Sequence, residues 1–183
     1  LRRSGFVSLD ISDLAVNAVE FYEPAAELKN IDLKVRTGGP VMVSGDSVLL
    51  AQVLSNLIDN ALKYAPAYGT IEVGVQKTEN GTVEVSVSDN GPGIEDSEKS
   101  KVMQRFYRGD ASRGTPGVGL GLSLVQAIAK LHGAQLDLRD NIPGLRAVMT
   151  MSYEGASTAV RDSAPSESAA AEAAAPPTLA TLP

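Results

Sequence analysis

Two alternating runs, Ile71-Val73-Val75 and Val83-Val85-Val87, flank the dipeptide Asn80-Gly81. A period of two puts these aliphatic side chains on one face of a ribbon. Asn-Gly supplies the positive φ that a tight hairpin turn needs. A two-stranded ribbon with one apolar face is at best marginal in water, so something must cover it. A long helix is expected just upstream. Asp46 offers a helix N-cap, and Leu50, Val53, Leu54, Leu57, Ile58 and Ala61 recur at helical spacing before the stop at Ala65-Pro66. The body thus begins to read as alternating helices and strands.

The rest of the chain extends that pattern. Asp10-Ile11-Ser12-Asp13 offers cap residues for an amphipathic segment reaching about Asn30, which Pro24 is expected to kink or interrupt. Ile31, Leu33 and Val35 alternate as a strand, and Gly38-Gly39-Pro40 makes a turn before a short strand at Val41 to Val43. Residues 90–117 read as loop, followed by a helix from about Gly119 to His132 and strands around Leu136-Leu138 and residues 147–151. From residue 155 onward the chain is mostly Ala, Ser, Pro, Thr and Glu. Such a tail lacks the apolar surface to offset its ordering entropy and is expected to be disordered.

Composition removes several classes of function. The chain of 183 residues has no cysteine, which excludes disulfides and thiol chemistry, and a net charge of -6 argues against coating nucleic acid. No run approaches the roughly 18 apolar residues of a spanning helix, and no signal peptide is visible. The first residue is Leu1, so a piece of a longer protein is expected. His132 is the single histidine.

Three stretches carry chemistry on their own terms. Asn56, Asn60 and Lys63 stand at i, i+4 and i+7 of the long helix, within about 60° of one another. A solvated stripe would use Glu and Lys, which are better helix formers than Asn. An Asn carbonyl oxygen suits Mg²⁺, and Lys63 can meet a phosphate. Next, Asp89-Asn90-Gly91-Pro92-Gly93-Ile94 follows the second hairpin strand, where an ordinary turn would be succeeded by another strand. A charged segment follows instead. Its two glycines allow close backbone approach, and Asp89 can accept a hydrogen bond from an exocyclic amine. Third, Gly117-Val118-Gly119-Leu120-Gly121-Leu122 opens a helix, and bare N–H groups there favour an anion. It comes too late in the chain for a dinucleotide fold and lacks the lysine of a Walker loop. Between the last two stretches, Arg105 and Arg108 can pair with phosphates while Phe106 and Tyr107 pin the loop to the core.

In this order the elements resemble the ATP-binding catalytic domain of a sensor histidine kinase. That domain belongs to the Bergerat-type superfamily shared with DNA gyrase, mismatch-repair ATPases and heat-shock chaperones. Residues 56–64 resemble its N box, Asp89 to Gly93 its G1 box, Arg105-Phe106-Tyr107-Arg108 its F box, and Gly117 to Leu122 its G2 box. The resemblance covers residues 9–154 as the domain, with residues 1–8 as the end of a preceding helical linker and 155–183 as the tail. It implies a two-layer α/β sandwich, with a mixed sheet, helices on one face and a mobile ATP lid. It implies that Asp89 binds the adenine amino group, with Gly91, Gly93 and Ile94 beside it. Asn60 is the implied principal Mg²⁺ ligand, with Asn56 at the metal or the phosphates, Lys63 on phosphate and Tyr64 near the nucleotide. Arg105 or Arg108 approaches the γ-phosphate. Gly117, Val118, Gly119, Leu120, Gly121 and Leu122 form the hinge and phosphate cradle.

The implied activity is that of a protein histidine kinase in a two-component system. ATP and Mg²⁺ are its cofactors. Its partners are a histidine-bearing dimerisation domain of the same protein and a response regulator. Neither nucleic acid nor a membrane contacts the domain itself, which is expected to be cytoplasmic, including as the cytoplasmic part of a membrane-anchored receptor. The ATPase relatives carry a water-activating Glu four residues before the metal-binding Asn; here Asn56 stands there, and an amide cannot act as a general base. His132-Gly133 matches a structural position of the family, with Ala134 replacing a frequent second glycine. The isolated chain is therefore not expected to autophosphorylate. Two other readings remain at this stage. One is a serine kinase of the anti-sigma-factor type. The other is a degenerate nucleotide-binding scaffold.

Overall fold

The computed structural model describes residues 5–104, 107 and 120–155. Strand β1 (Val7–Asp10) pairs antiparallel with β3 (Met42–Gly45) as a small separate ribbon. The main sheet holds five strands in the order β2 (Asp32–Thr37), β4 (Thr70–Lys77), β5 (Thr82–Asp89), β7 (Leu145–Ser152) and β6 (Gln135–Asp140). β2 runs parallel to β4, and every other neighbour is antiparallel. The sheet is thus mixed, as expected.

Register explains why it needs helices. Val73 faces Val87, Val75 faces Val85, Val85 faces Met149 and Val87 faces Ala147. All these side chains are buried in one cluster with residues of α1 (Ile11–Glu27), α2 (Ser47–Tyr64) and α4 (Gly121–Leu131). The alternate residues carry charge: Arg36 pairs with Glu72, and Arg139 with Glu84.

Helix α1 starts where Asp10 accepts the Ser12 N–H at 2.9 Å; the same carboxylate oxygen accepts the Val41 N–H at 3.0 Å, joining helix start to the turn before β3. Pro24 does not interrupt it. The proline removes only the bond to Glu20, whose exposed position leaves that carbonyl open to water. The helix ends at Glu27 rather than near Asn30, because Asn30 adopts a positive φ of 53° and the Ile31 N–H turns back to the Ala26 carbonyl.

Two further expectations are corrected. Val7 and Ser8 are not helical linker but the start of β1, drawn into extended form by pairing with Gly45 and Ser44. Within residues 90–117, read as loop, Asp96–Val102 forms a short helix, α3. Its acidic first turn (Asp96, Glu98) and basic last turn (Lys99, Lys101) complement the helix dipole, a signal that the search for apolar periodicity passes over. Of the expected tail, only Gly155 lies within the described residues.

His132 closes the helical layer. Its Nδ1–H donates to the Ile128 carbonyl at 2.8 Å, and its Nε2 accepts the Asp46 N–H at 3.1 Å. Phe6 stacks on the ring at 4.5 Å. The end of α4 is thereby tied to the start of α2, and both ring nitrogens are occupied. Replacing His132 with Ala leaves the Asp46 N–H without its partner and removes the stacked ring. Unfolding free energy from urea titration is expected to fall by about 1–3 kcal/mol. A loss of a few tenths would show the ring to be dispensable.

Candidate functional site

The site residues of α2 are placed by the face they do not bury. Leu50, Val53, Leu54, Leu57, Ile58, Ala61 and Leu62 are packed into the core, which leaves Asn56, Asn60 and Lys63 half-buried at the margin. Asn56 Nδ2 donates to the Gln52 carbonyl at 2.8 Å, so its Oδ1 is left to point elsewhere. It points at the start of α4. A Cβ built on Gly121 would lie 3.4 Å from Asn56 Oδ1 and 3.6 Å from Asn60 Nδ2. Helix α4 has no side-chain N-cap and no acidic residue in its first turn. Among the described residues its first-turn N–H groups thus meet no side-chain cap or acidic residue of their own helix, and such groups favour an anion.

Asp89 forms the second centre. It ends β5, is only 7% exposed, and its Oδ1 accepts the Gly91 N–H at 2.8 Å and the Leu145 N–H at 3.4 Å. Its Oδ2 takes no hydrogen bond from the described residues. Burial pushes the carboxyl above its ordinary 3.8, with the two N–H bonds pulling it partly back. Such an acceptor is suited to an amine donor. The two centres are joined along α2, since Tyr64 lies one turn beyond Asn60 and its carbonyl abuts Gly91.

The glycines of this region answer to neighbouring backbone. A Cβ on Gly91 would sit 2.7 Å from the Tyr64 carbonyl oxygen, and one on Gly93, whose φ is +73°, 3.0 Å from that of Gly144. Their smallness is thus required by packing within the chain as well as by any ligand. Ile94 and Leu122 are half-buried, Leu120 is 41% exposed, and Lys63 holds its Nζ 5.0 Å above the Tyr64 ring. Arg105, Arg108, Gly117, Val118 and Gly119 lie outside the described residues.

Sequence reasoning missed the β6–β7 turn. Asn141 Nδ2 donates to the Asp89 carbonyl at 2.7 Å, and Gly144, at a φ of +116°, passes so close that a Cβ would fall 1.9 Å from that oxygen. Pro143-Gly144 marks a turn in the sequence, but nothing local says which strand end the turn touches. A surface cavity of about 620 Å³ lies elsewhere. Ser123, Gln126, Ala127 and Lys130 line it from the face of α4 opposite Val125 and Ile128.

Comparison with known proteins adds a family and a fold. Residues 45–161 match the family described as histidine kinase-, DNA gyrase B- and HSP90-like ATPase. The chain is 43% identical over 102 residues to the signal transduction histidine-protein kinase/phosphatase MprB of Mycobacterium sp. (strain KMS), covering 56% of this chain and 20% of that protein. It thus spans about a fifth of the length of that curated relative. Among solved structures, a mycobacterial sensor histidine kinase MprB superposes with a TM-score of 0.71 at 28% identity, over 81% of this chain and 98% of that one. The ATP-binding domain of PrrB from Mycobacterium tuberculosis gives a TM-score of 0.66 at 26% identity, over 83% and 100%.

Asp89 makes stability depend on pH. Its carboxyl is raised in the folded chain, so its proton is bound more tightly folded than unfolded. The stability it contributes is complete below 3.8 and is lost as pH rises through the raised value. Asp89→Asn keeps an Oδ1 for Gly91 and Leu145 and removes the desolvated charge. The variant is expected to be at least as stable as the parent at neutral pH, with its advantage shrinking as pH falls toward 3.8. Denaturant midpoints at the two pH values test the sign.

Proposed function

The chain belongs to the histidine kinase-, DNA gyrase B- and HSP90-like ATPase family, and on that premise we propose that it is the Mg–ATP-binding catalytic domain of a sensor histidine kinase. In this reading the domain donates the γ-phosphoryl group of ATP to a histidine on a dimerisation domain, for relay to a response regulator. The observation that carries the reading is the meeting of Asn56 and Asn60 with the start of α4 at Gly121, while Tyr64, one turn of α2 beyond Asn60, abuts Gly91 beside the buried carboxylate of Asp89.

Each part has a task in phosphoryl transfer, where positioning and charge neutralisation supply most of the catalysis. Asp89 accepts the adenine amino hydrogen and fixes the base. The N–H groups at the start of α4 hold phosphate oxygens, and Lys63 adds a cation at the same rim. Asn56 Oδ1 and the Asn60 amide present the hard oxygen donors that Mg²⁺ prefers, so these residues fit that metal. Bound there, Mg²⁺ would neutralise phosphate charge. Asn56 cannot take a proton from water, so hydrolysis is disfavoured and the phosphoryl group is kept for a protein acceptor. His132 is not that acceptor, with both nitrogens already bonded.

We place the ATP-binding unit from Val7, where β1 begins, to residue 154. No helix among the described residues is long and apolar enough to cross a membrane, and the proposed work is on the cytoplasmic side.

Calorimetric titration with a non-hydrolysable ATP analogue, with and without Mg²⁺, tests the site. The parent chain is expected to bind more tightly with the metal. Asn60→Ala should lose most of that Mg²⁺ stimulation while its fold, by circular dichroism, stays unchanged. Full Mg²⁺ stimulation in Asn60→Ala would remove Asn60 from the metal. For the transfer itself, labelled ATP should mark the parent protein's histidine-bearing domain only when this chain is added. Acid-stable label on serine would favour the serine-kinase reading instead.

A further inference from the structure

The end of β5 is built in an unusual way. On one side Asp89 pairs with Ile71 of β4, but on the other the ladder with β7 stops one residue earlier, at Ser88 and Arg146. The Asp89 carbonyl therefore has no strand partner on the β7 side. The Asn141 side chain replaces it, donating Nδ2 at 2.7 Å. The Leu145 N–H, which would otherwise be aimed at that carbonyl, is left for the Asp89 carboxylate at 3.4 Å. The turn is itself held in shape. The Asn141 N–H bonds to the Gly144 carbonyl at 3.1 Å, and the next residue back, Asp140, accepts Lys99 Nζ from α3 at 2.8 Å. Lys99 is also bonded to Asp96 at 2.6 Å, and its side chain is 18% exposed.

We infer that the β6–β7 turn sets base selectivity, with Asn141 as a positioning residue that aims the Asp89 carboxylate. By taking the main-chain carbonyl, Asn141 assigns the single Leu145 N–H to Oδ1. That bond and the one from Gly91 fix the rotation of the carboxylate, so that Oδ2 presents one direction to the ligand. Without Asn141 the same N–H has two acceptors to choose between, and the carboxylate loses its aim. Lys99 braces the turn from α3, so it acts on selectivity at one remove. The inference rests on the proposed role of Asp89 in binding adenine. Asn141 is exposed, so its replacement removes no core contact.

The test is the ratio of GDP to ADP dissociation constants, measured with Mg²⁺ by calorimetry on the full chain. The parent is expected to favour ADP. Asn141→Ala should cut the preference about threefold to tenfold, the scale of one oriented hydrogen bond, by weakening ADP and leaving GDP unchanged. Asn141→Asp keeps the shape but turns a carboxylate toward the Asp89 carbonyl, so its loss should be at least as large. Lys99→Met should shift the ratio in the same direction by less. In an Asp89→Asn background, Asn141→Ala should change nothing further. If Asp89→Asn collapses the ratio while Asn141→Ala leaves it intact, or weakens both nucleotides equally, the positioning role is overturned. If Asp89→Asn itself leaves the ratio intact, it is the adenine assignment that fails.

Discussion

The rotation of α2 about its own axis is the constraint on which the site depends. Seven residues of this helix are packed against the sheet and its neighbours. A turn of one residue, about 100°, would drive Asn56 and Asn60 into that apolar layer, where unpaired amides are costly. Both ends are clamped as well. At the start, Asp46 caps the Val48 and Leu49 N–H groups while its own N–H is held by His132 of the α4 end. Near the finish, Lys29 donates to the Leu62 carbonyl at 2.8 Å. Core burial fixes which face looks outward, and the clamps fix where along the sheet it stands. Together they bring the asparagines to Gly121.

The same economy governs the other centre. A carboxylate buried at the end of β5 is unfavourable in its charged form, which is why its proton is held above the ordinary range. Two N–H groups offset part of that cost, and both come from backbone that has to run very close. Gly91 beside Tyr64 and Gly144 beside the Asp89 carbonyl are close approaches that no larger residue permits. Gly91, which in the sequence reads as room for a ligand to come close, is first of all what lets the backbone at Tyr64 pass beside a segment bonded to the acidic side chain.

Much of this was legible because it is local. Alternation in β4 and β5, the cap at Asp46 and the stop at Ala65-Pro66 each depend on a few adjacent residues, and the elements formed where those signals stand. The asparagine face of α2 was legible for a related reason, since Asn is an odd choice in mid-helix without a task. What escaped the sequence is long-range or weakly periodic. Helix α3 is too short and too charged to show an apolar stripe. Val7 and Ser8 became strand only because β3 offered a partner more than thirty residues away. Asn141 looks like a turn residue, and its bond to Asp89 spans a sequence separation of 52.

An amide and a histidine bear on the chemistry together. Asn56 stands where the resemblance would put the general base of hydrolytic relatives, and the single histidine of the chain has its nitrogens committed to Ile128 and Asp46. On the proposed reading, a domain that holds ATP with an amide at position 56 and its one histidine committed depends on an acceptor brought to it. Under the kinase reading that is a benefit. In that reading the acceptor histidine is presented from outside these residues, and the proposal makes transfer depend on how that partner is brought to the site. Nucleotide binding and phosphoryl transfer then become separately controllable, the first by Asp89 and the α4 start, the second by the approach of the partner. A signal acting on that approach can change the output without touching a residue that holds ATP.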